Sequence, residues 1–539
     1  LVNILEQRMR EMQPKLVAIS VPFPGNLFAS FRCAQYIRSY FPHTKVAMGG
    51  GFPNTELRSL GDPRVFEFFH YVTLDDGETP VEQLIKYVDG SITEGVLKRT
   101  FFLSEGQVKY VDNKSCTDYR QGQVGTPDYS DLLLDRYISA IEVTNPMHSL
   151  WSDGRWNKLT MAHGCYWGKC TFCDISLDYI QRYEPITAQL LCDRMEEIIA
   201  QTGQTGFHFV DEAAPPALMR ALALEIIKRK LVVSWWTNIR FEKSFTRDLC
   251  LLLKASGCIA VSGGLEVASD RLLQLIQKGI TVAQVAKVNK HFTEAGIMVH
   301  AYLMYGFPTQ TAQETIDSLE MVRQMFQAGI LQSAFWHQFA MTAHSPVGLE
   351  PHKFDVRKET EAIGSFANND IVHVDPTGAD HDAFSYGLKK SLLNYMHGAC
   401  FDYPLYKWFE HKVPKTSVAP DYIVKALEEE EWTSKPNSKL IYLGSLPLME
   451  IVTKSKKGNS WEVASLTFHT RKETVNIKVD AEKGKWLAGI LKDAATSYDN
   501  PVTLQQVKEN YEAAGLEDFE LFWDNKPVNT LYRAGLLQL

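Results

Sequence analysis

Long apolar runs are missing from this chain. No stretch of its 539 residues approaches the roughly 18–20 apolar residues that a membrane helix requires, so we expect no membrane role. An excess of basic residues is also missing, since 56 Lys and Arg stand against 64 Asp and Glu, for a net charge of −8. Without a basic field to gather phosphates, general nucleic-acid binding is not expected either.

Cysteine is scarce. Nine cysteines in 539 residues are an odd number at low density, which argues against a disulfide framework and favours a reducing compartment, the cytoplasm. The composition is otherwise that of an ordinary globular protein, and a length prior of about 150 residues per domain predicts three or four domains. The chain starts at Leu1 in a helix-like stretch, so we expect further sequence upstream.

Three of the cysteines nevertheless lie close together, at Cys165, Cys170 and Cys173. Three neighbouring thiolates favour an iron–sulfur cluster held at three corners, or an incomplete zinc site. A structural zinc ion needs four ligands, and the sequence has no second Cys-x-x-Cys and no His-x-x-x-His. His163 and Asp174 could complete a zinc sphere, but both crowd the turn. We therefore expect a [4Fe–4S] cluster with one open iron, which implies a bound small molecule.

Strand-like and helix-like stretches alternate after the cysteines. Six strand–helix units, counted from a strand at the residues before the cysteine loop, describe a β/α barrel, whose active site forms at the carboxyl ends of its strands. Polar residues follow several of these strand ends. The predicted strands cover residues 158–161, 206–210, 232–238, 259–262, 298–305 and 332–339.

The N-terminal region also alternates between strands and helices. Buried strands at 16–21, 45–48 and 71–74 predict a Rossmann-like, doubly wound parallel sheet, whose ligand crevice lies beyond the carboxyl ends of the strands. Glycines at such ends let a backbone approach a ligand closely, although tight turns would explain them equally well. A hairpin is predicted at 97–102 and 107–111. The residues that lie at or after the strand ends are Ser20, Gly49, Gly50 and Gly77.

The last third of the chain predicts two further regions. Residues 346–435 form a helical extension that either closes the substrate side of the barrel or packs as core. Residues 436–539 form a small α+β module, winged-helix-like, in which the basic run 454–457 is a solvated hairpin turn. Its strands are predicted at 440–443, 461–469, 474–479 and 536–538, and its helices at 484–494 and 504–514.

The cysteine loop resembles the cluster motif of the radical SAM superfamily, in which the fourth iron binds the amino and carboxylate groups of S-adenosylmethionine (SAM). Phe172 precedes the last cysteine, at the position where that family packs an aromatic ring near the adenine. The spacing departs from the common pattern, because four residues rather than three separate Cys165 from Cys170. Related subfamilies lengthen this gap. The six strand–helix units resemble the partial (β/α)6 TIM-type barrel of these enzymes.

The resemblance implies a role for each polar residue at the strand ends of the barrel. Asp211 and Glu212 match the positions that touch the methionine amino group. Glu266 and Ser269 match positions that contact the SAM ribose or amine, although Ser269 could instead be a helix N-cap. Arg240 matches a position near the SAM carboxylate or the substrate. Gly306 matches a position beside the adenine.

The N-terminal region resembles the cobalamin-binding domain that precedes the barrel in one large radical SAM class. In that class a Ser after one strand and a Gly-Gly after the next surround the dimethylbenzimidazole tail, which matches Ser20 and the pair Gly49–Gly50. The cobalt-ligating Asp-x-His-x-x-Gly is absent here. It would lie upstream of Leu1, and several cobalamin-dependent relatives also lack it. Cobalamin is therefore expected as a further cofactor.

These resemblances imply a radical SAM enzyme with domains at residues 1–140, 141–345, 346–435 and 436–539. We expect reductive cleavage of SAM to a 5′-deoxyadenosyl radical, followed by cobalamin-dependent methylation or rearrangement at an unactivated carbon. The implied partners are a small-molecule or peptide substrate and an electron donor such as flavodoxin or ferredoxin. Two alternatives stay open: radical oxidation or rearrangement without cobalamin, and a non-catalytic iron–sulfur or zinc protein.

Overall fold

The N-terminal domain contains a five-stranded sheet whose strands follow chain order. A computed structural model describes residues 1–136, 156–359, 366–428, 435–470, 473–496, 498 and 501–539. In this first sheet β1 (Leu16–Ser20), β2 (Lys45–Gly49) and β3 (Tyr71–Thr73) are parallel. Helices cover both of its faces, as a doubly wound arrangement requires. They are Val2–Met12, Pro24–Tyr40, Gly51–Glu56 and Glu78–Val88.

The predicted hairpin joins this sheet. Strand β4 (Thr100–Ser104) pairs with β3, and β5 (Gln107–Val111) pairs with β4, both in antiparallel orientation. Glu105 and Gly106 between them have φ of 52° and 75°, which is the twist that a two-residue hairpin turn needs. The sheet is therefore mixed rather than wholly parallel, because so short a turn can only reverse the chain.

Six parallel strands form the partial barrel, and they lie in chain order. Each is followed by one or more helices, so the predicted strand–helix units are confirmed. The strands are β6 (Asn157–Leu159), β7 (Gly206–Phe209), β8 (Ser234–Ile239), β9 (Cys258–Glu266), β10 (Met298–Tyr305) and β11 (Ser333–Gln338). The helices are Asp178–Gln181, Ala188–Thr202, Pro216–Arg229, Arg247–Ala255, Asp270–Leu275, Val282–Glu294 and Ala312–Gln327.

Alternation along the barrel strands separates an apolar outside from a polar lumen. Successive side chains of a strand point to opposite faces. Phe207, Phe209 and Trp235 are fully buried in the large core that the surrounding helices complete. The neighbouring residues His208 and Trp236 point to the opposite face and line a cavity inside the barrel. The same strands that build the core therefore also build a lined lumen.

Short strand pairs and helices lie beside the cysteine loop and between the barrel and the C-terminal module. Two-residue strands pair in three places: Ala162–His163 with Glu184–Pro185, Met341–Thr342 with Asp370–Ile371, and Arg357–Lys358 with His373–Val374. The helices of this region are Pro346–Leu349, Ser385–Met396 and Tyr422–Glu428. The predicted domain boundary at residue 140 lies outside the described residues, and the division into four domains stays a prediction.

The C-terminal module contains a pair of strands, a three-stranded antiparallel sheet and helices. Its strand β13 (Leu448–Lys456) was not predicted from the sequence. All nine of its side chains are exposed, so no alternation of buried and exposed residues marks it. The hairpin turn occurs at Lys457 and Gly458, with φ of 52° and 86°, so the turn predicted at 454–457 was placed too early, because residues 454–456 belong to the preceding strand. The strands are β12 (Leu440–Tyr442), β13 (Leu448–Lys456), β14 (Asn459–His469), β15 (Thr474–Asp480) and β16 (Leu536–Gln538). The helices are Ala481–Thr496, Leu504–Ala513, Phe519–Trp523, Lys526–Asn529 and Leu531–Ala534.

The helices carry the polarity of a globular protein. Within the described parts of the chain, no helix combines the length and the apolar character that crossing a bilayer requires.

Gly257 is required by the turn into β9. Its φ is 97°, and a Cβ there would overlap the Val233 carbonyl oxygen. Gly257→Ala should lower the free energy of unfolding by about 1–2 kcal/mol for the left-handed backbone and by a further ~1–3 kcal/mol for the overlap. The matched control is Gly296→Ala, with φ of 78° and no atom nearer than 3.7 Å. Chemical denaturation of both variants measures the difference, and equal losses would contradict the steric argument.

Candidate active site

Backbone hydrogen bonds hold the three cysteines in one loop after β6. The Cys165 N–H donates to the Ile180 carbonyl at 3.0 Å, and the Thr171 N–H donates to the Ile276 carbonyl at 2.9 Å. Gly164 permits the first contact, because its φ is 70° and a Cβ there would overlap a carbonyl oxygen of the following turn. The loop therefore has a defined shape that is set by its own protein contacts.

Arg240 lies against this loop. Its guanidinium carbon is 3.8 Å from the centre of the Trp167 ring, and the Trp167 Nε1–H donates to the Gln277 carbonyl at 2.9 Å. Arg240 also pairs with Glu242 and donates to the Lys278 carbonyl, and its residue is only 4% exposed. These contacts make Arg240 a positioning residue for the cysteine loop. Its contact with SAM or substrate stays a prediction.

A buried ion pair stands beside the cysteines. The Lys278 Nζ lies 2.7 Å from Glu266 Oε1, and both side chains are nearly inaccessible to solvent. Glu266 has φ of 62°, and the pairing of β9 with β10 shifts register just before it. Gly264 leaves room for the pair, since a Cβ there would lie 2.7 Å from Lys278 Nζ. Left-handed backbone at a non-glycine residue is typical of functional sites.

The nearby cations favour an ionised Cys170. The hydrogen bond from the Cys173 thiol and the charges of Lys278 and Arg240 lower the pKa of Cys170 to about 7, against the opposing effect of burial. Burial would lower the pKa of Lys278, but Glu266 and Cys170 hold it above its ordinary value. A positive environment of this kind stabilises thiolates, which are the form that binds metal.

The cysteine geometry fits a cluster better than a zinc ion. Within the residues that the structure describes, no three His, Cys, Asp or Glu side chains converge on one point as ligands of a single ion do. A cluster held at three corners uses each thiolate for a different iron and does not need such convergence. His163, considered as a fourth zinc ligand, instead bonds to Asp76 and to the Arg182 carbonyl. The residues present therefore fit a [4Fe–4S] cluster.

The two carboxylates after β7 differ in their surroundings. Asp211 accepts the N–H groups of Met161 at 3.0 Å and Ala162 at 2.8 Å, and burial raises its pKa to about 7. It therefore ties the end of β6 to the end of β7. Glu212 is exposed as a residue. Burial of its carboxyl group by the surrounding protein nevertheless raises its pKa. Glu212 is thus the more accessible of the two, and the contact of either with the methionine amine stays a prediction.

The residues expected near the adenine come together in one cluster. Phe172 packs against a group of buried side chains that includes Phe307, next to Gly306. Gly306 has φ of 81°, and its N–H donates to the Gln310 side chain at 2.8 Å. Ser269 caps the helix Asp270–Leu275 through the Leu272 N–H, as the alternative for this residue predicted.

The N-terminal residues singled out in the sequence meet at the carboxyl edge of their sheet. Ser20 and Gly49 pair directly across β1 and β2. A Cβ on Gly49 would lie 2.9 Å from Thr73 Oγ1, and one on Gly50 would lie 2.9 Å from Ser20 Oγ, so packing within the domain explains these two glycines. Gly77 is different, because a Cβ there would meet no atom within 4 Å. Ser20 and Gly77 are exposed, which leaves room for a ligand.

An acidic residue that the sequence had placed only in a turn joins this edge to the cysteine loop. Asp76 Oδ1 lies 2.8 Å from His163 Nε2, and its other oxygen pairs with Arg182. Burial would raise the pKa of Asp76, but the hydrogen bond with His163 and the charge of Arg182 hold it below its ordinary value. This contact therefore connects the carboxyl ends of the parallel strands of both sheets. Its only sequence signal was the Asp75-Asp76-Gly77-Glu78 turn after β3.

Comparison with known proteins identifies the barrel. Residues 159–322 match the family model of the Radical SAM superfamily. An uncharacterized methyltransferase of Pyrococcus horikoshii is 22% identical over 321 residues, 59% of this chain and 66% of that protein. An anaerobic magnesium-protoporphyrin IX monomethyl ester cyclase of Cereibacter sphaeroides is 20% identical over 415 residues, 74% of this chain and 63% of that protein. The chain spans slightly less than two thirds of either relative.

Solved structures share the fold. The radical S-adenosylmethionine methyltransferase TsrM from Kitasatospora setae, solved with cobalamin and a [4Fe–4S] cluster, has a TM-score of 0.53 at 17% identity, covering 73% of this chain and 82% of that one. The cobalamin-dependent S-adenosylmethionine radical enzyme OxsB, solved with aqua-cobalamin and S-adenosylmethionine, has a TM-score of 0.52 at 15% identity, covering 70% and 58%. The prediction of a radical SAM domain is confirmed for residues 159–322, and so is the α/β fold with a partial barrel.

Asp76→Ala should loosen the contact between the two edges. It leaves the partly buried His163 and Arg182 without their carboxylate, and we expect a loss of about 3 kcal/mol in the free energy of unfolding. Hydrogen exchange should become faster across residues 160–185. The control is Asp89→Ala in the same domain, whose pair with Lys15 is largely exposed and should contribute little to the free energy of unfolding. Unchanged exchange around His163 in Asp76→Ala would contradict the connecting role.

Proposed function

We propose that this radical SAM enzyme transfers a methyl group to an unactivated carbon of its substrate, with a [4Fe–4S] cluster, SAM and cobalamin as cofactors. The observation that carries the proposal is the cysteine loop beside the buried Lys278–Glu266 pair, connected through Asp76 to the edge of the N-terminal sheet. Rearrangement of the substrate is the related outcome of the same radical chemistry.

Cys165, Cys170 and Cys173 are the residues that would hold the cluster. When bound, the cluster supplies the electron that cleaves SAM to methionine and a 5′-deoxyadenosyl radical, which removes hydrogen from the substrate. The part of the protein is to hold the three thiolates in one loop, to keep Cys170 ionised, and to exclude water and oxygen. Lys278 and Arg240 serve the second task through their charges.

Glu212 is the residue best suited to receive the methionine amino group. Its carboxylate is accessible at the end of β7, whereas both Asp211 oxygens accept backbone N–H groups. A carboxylate can accept the N–H bonds of an ammonium group. Phe172 and the turn at Gly306 belong to one cluster, and we propose that the adenine lies beside it.

Ser20 and Gly77 would border the cobalamin, at the exposed edge of the N-terminal sheet. When bound, cobalamin supplies the methyl group that is transferred to the substrate carbon. The TsrM and OxsB structures contain bound cobalamin, and their shared fold supports the proposal. We further propose a cytoplasmic enzyme that receives electrons from a flavodoxin or ferredoxin.

Cys170→Ala should abolish both cluster binding and SAM cleavage, because two thiolates cannot hold three irons. Iron and sulfide content and the cluster absorption band measure the first after anaerobic reconstitution. Formation of 5′-deoxyadenosine with SAM and dithionite measures the second. The control is Cys116→Ala, which removes a thiol from the N-terminal region and should keep both properties. A Cys170→Ala variant that still forms 5′-deoxyadenosine would disprove the cluster assignment.

Ser20→Trp should prevent the retention of cobalamin by filling the edge of the N-terminal sheet. The reconstituted protein is incubated with hydroxocobalamin and desalted, and its corrinoid absorption is measured. Ala18→Trp is the matched control, because Ala18 is also exposed and lies on the same face of β1, two residues further from the carboxyl end. If the wild-type chain retains no corrinoid and forms only 5′-deoxyadenosine, the N-terminal domain acts as a cap and the chemistry proceeds without cobalamin.

A further inference from the structure

The lumen of the barrel contains a cavity of about 350 Å³, and none of its lining residues is one assigned above to the cluster, SAM or cobalamin. Strands from both open edges of the barrel, β6 and β11, contribute to its wall together with β7, β8 and β10. A volume of this size falls within the range of small-molecule sites, roughly 300–1,000 Å³. Its lining residues are Lys158, His208, Trp236, Asn238, Tyr302, Phe335 and His337.

One cation in this lining has no acidic partner there. Lys158 projects into the cavity from β6, and the seven lining residues include no carboxylate. Burial lowers its pKa, and among the residues that the structure describes no carboxylate counteracts that effect. The charge of Glu266 raises the pKa of Tyr302 and opposes the lowering of the His337 pKa by burial. Glu266 is itself paired with Lys278 at 2.7 Å.

A neutral histidine holds this cation in place. The Lys158 Nζ lies 3.0 Å from His208 Nδ1, and burial, followed by the charge of Lys158, lowers the pKa of His208 to about 3. The ring is thus uncharged and its Nδ1 can accept from the ammonium group. The His208 ring in turn stacks on Trp236, with ring centres 3.4 Å apart and an angle of 7° between the planes. Lys158 is therefore positioned without being neutralised.

Flat side chains form most of the remaining wall. Phe335 and His337, whose ring centres are 4.5 Å apart, are exposed to the cavity side of the edge strand. Tyr302 lies next to His337, with ring centres 6.3 Å apart. Aromatic faces favour flat, apolar ligand groups.

We propose that this lumen cavity is the substrate site and that it selects a flat aromatic group bearing a carboxylate, with Lys158 pairing the carboxylate and Phe335, Tyr302 and His337 packing against the ring. The ammonium group supplies a charge-assisted hydrogen bond, which is stronger than one between neutral groups. This inference rests on the proposed function, because a substrate in the lumen lies below the cysteine loop where the radical would form.

The test measures binding by calorimetry on the reconstituted full chain, without reductant. The probes are indole-3-propionate, its neutral amide, and cyclohexanepropionate, which keeps the charge but lacks the flat ring. We expect indole-3-propionate to bind about tenfold to hundredfold more tightly than its amide, and more tightly than cyclohexanepropionate. A peptide ending in tryptophan, with a free or an amidated terminus, distinguishes a peptide carboxylate from a free acid.

Lys158→Met should remove the preference for the acid over the amide, while Lys158→Arg should retain it. The matched control is Lys425→Met, at a surface lysine paired with Asp421 outside the cavity, and it should behave like wild type. Equal binding of acid and amide to the wild type, an unchanged preference in Lys158→Met, or no binding of any probe would overturn the proposal. Equal binding of the cyclohexane acid would overturn its aromatic part.

The same preparations separate this inference from the proposed function. Formation of 5′-deoxyadenosine is measured with SAM and dithionite in parallel. Charge-selective binding in a preparation that cannot cleave SAM would refute the radical chemistry and leave the cavity assignment standing. SAM cleavage without the Lys158-dependent preference would refute the cavity assignment alone.

Discussion

The site depends on the packing of the cysteine loop against the turn that contains Lys278. This turn presents a buried ammonium group, paired with Glu266 at 2.7 Å, next to Cys170. Arg240 and Trp167 stack across the same boundary at 3.8 Å. A buried charge is costly unless it is paired, so the ion pair and the loop constrain each other. The positive environment of the thiols follows from this packing and not from the cysteine motif by itself.

The fold brings the carboxyl ends of parallel strands from two sheets together. The carboxyl ends of parallel strands collect turns whose backbone groups are free to bind ligands, and both domains have such an edge. Asp76 after β3 and His163 before the first cysteine lie 87 positions apart in the chain and join these edges at 2.8 Å. The contact explains how a cofactor on the N-terminal domain would lie near the chemistry of the barrel. It also explains why Asp76 belongs to the site although it resembles none of the expected ligands.

Packing assigned some expected ligands to other tasks. Asp211 was expected to touch SAM, and its oxygens accept two backbone N–H groups. Ser269 caps a helix, and Gly49 and Gly50 are required by their own neighbours. Glu212, Ser20 and Gly77 are accessible, and the contact of each expected residue with a ligand stays a prediction. Position at a strand end therefore nominates a residue, but the bonds that it already makes decide whether it is available.

The sequence alone predicted most of the barrel and N-terminal elements and the cysteine loop between them. Its local periodicity predicted the six barrel strands and the N-terminal sheet, and its cysteine spacing predicted the cluster, because both signals depend on near neighbours in the chain. Strand β13 was not predicted, because none of its side chains is buried and no alternation marks it. Tertiary structure decided which distant residues meet: Arg240 with Trp167, Asp76 with His163, and Lys158 with His208 across 50 positions. No local pattern encodes these pairs, since each arises only when separate strands and loops pack together.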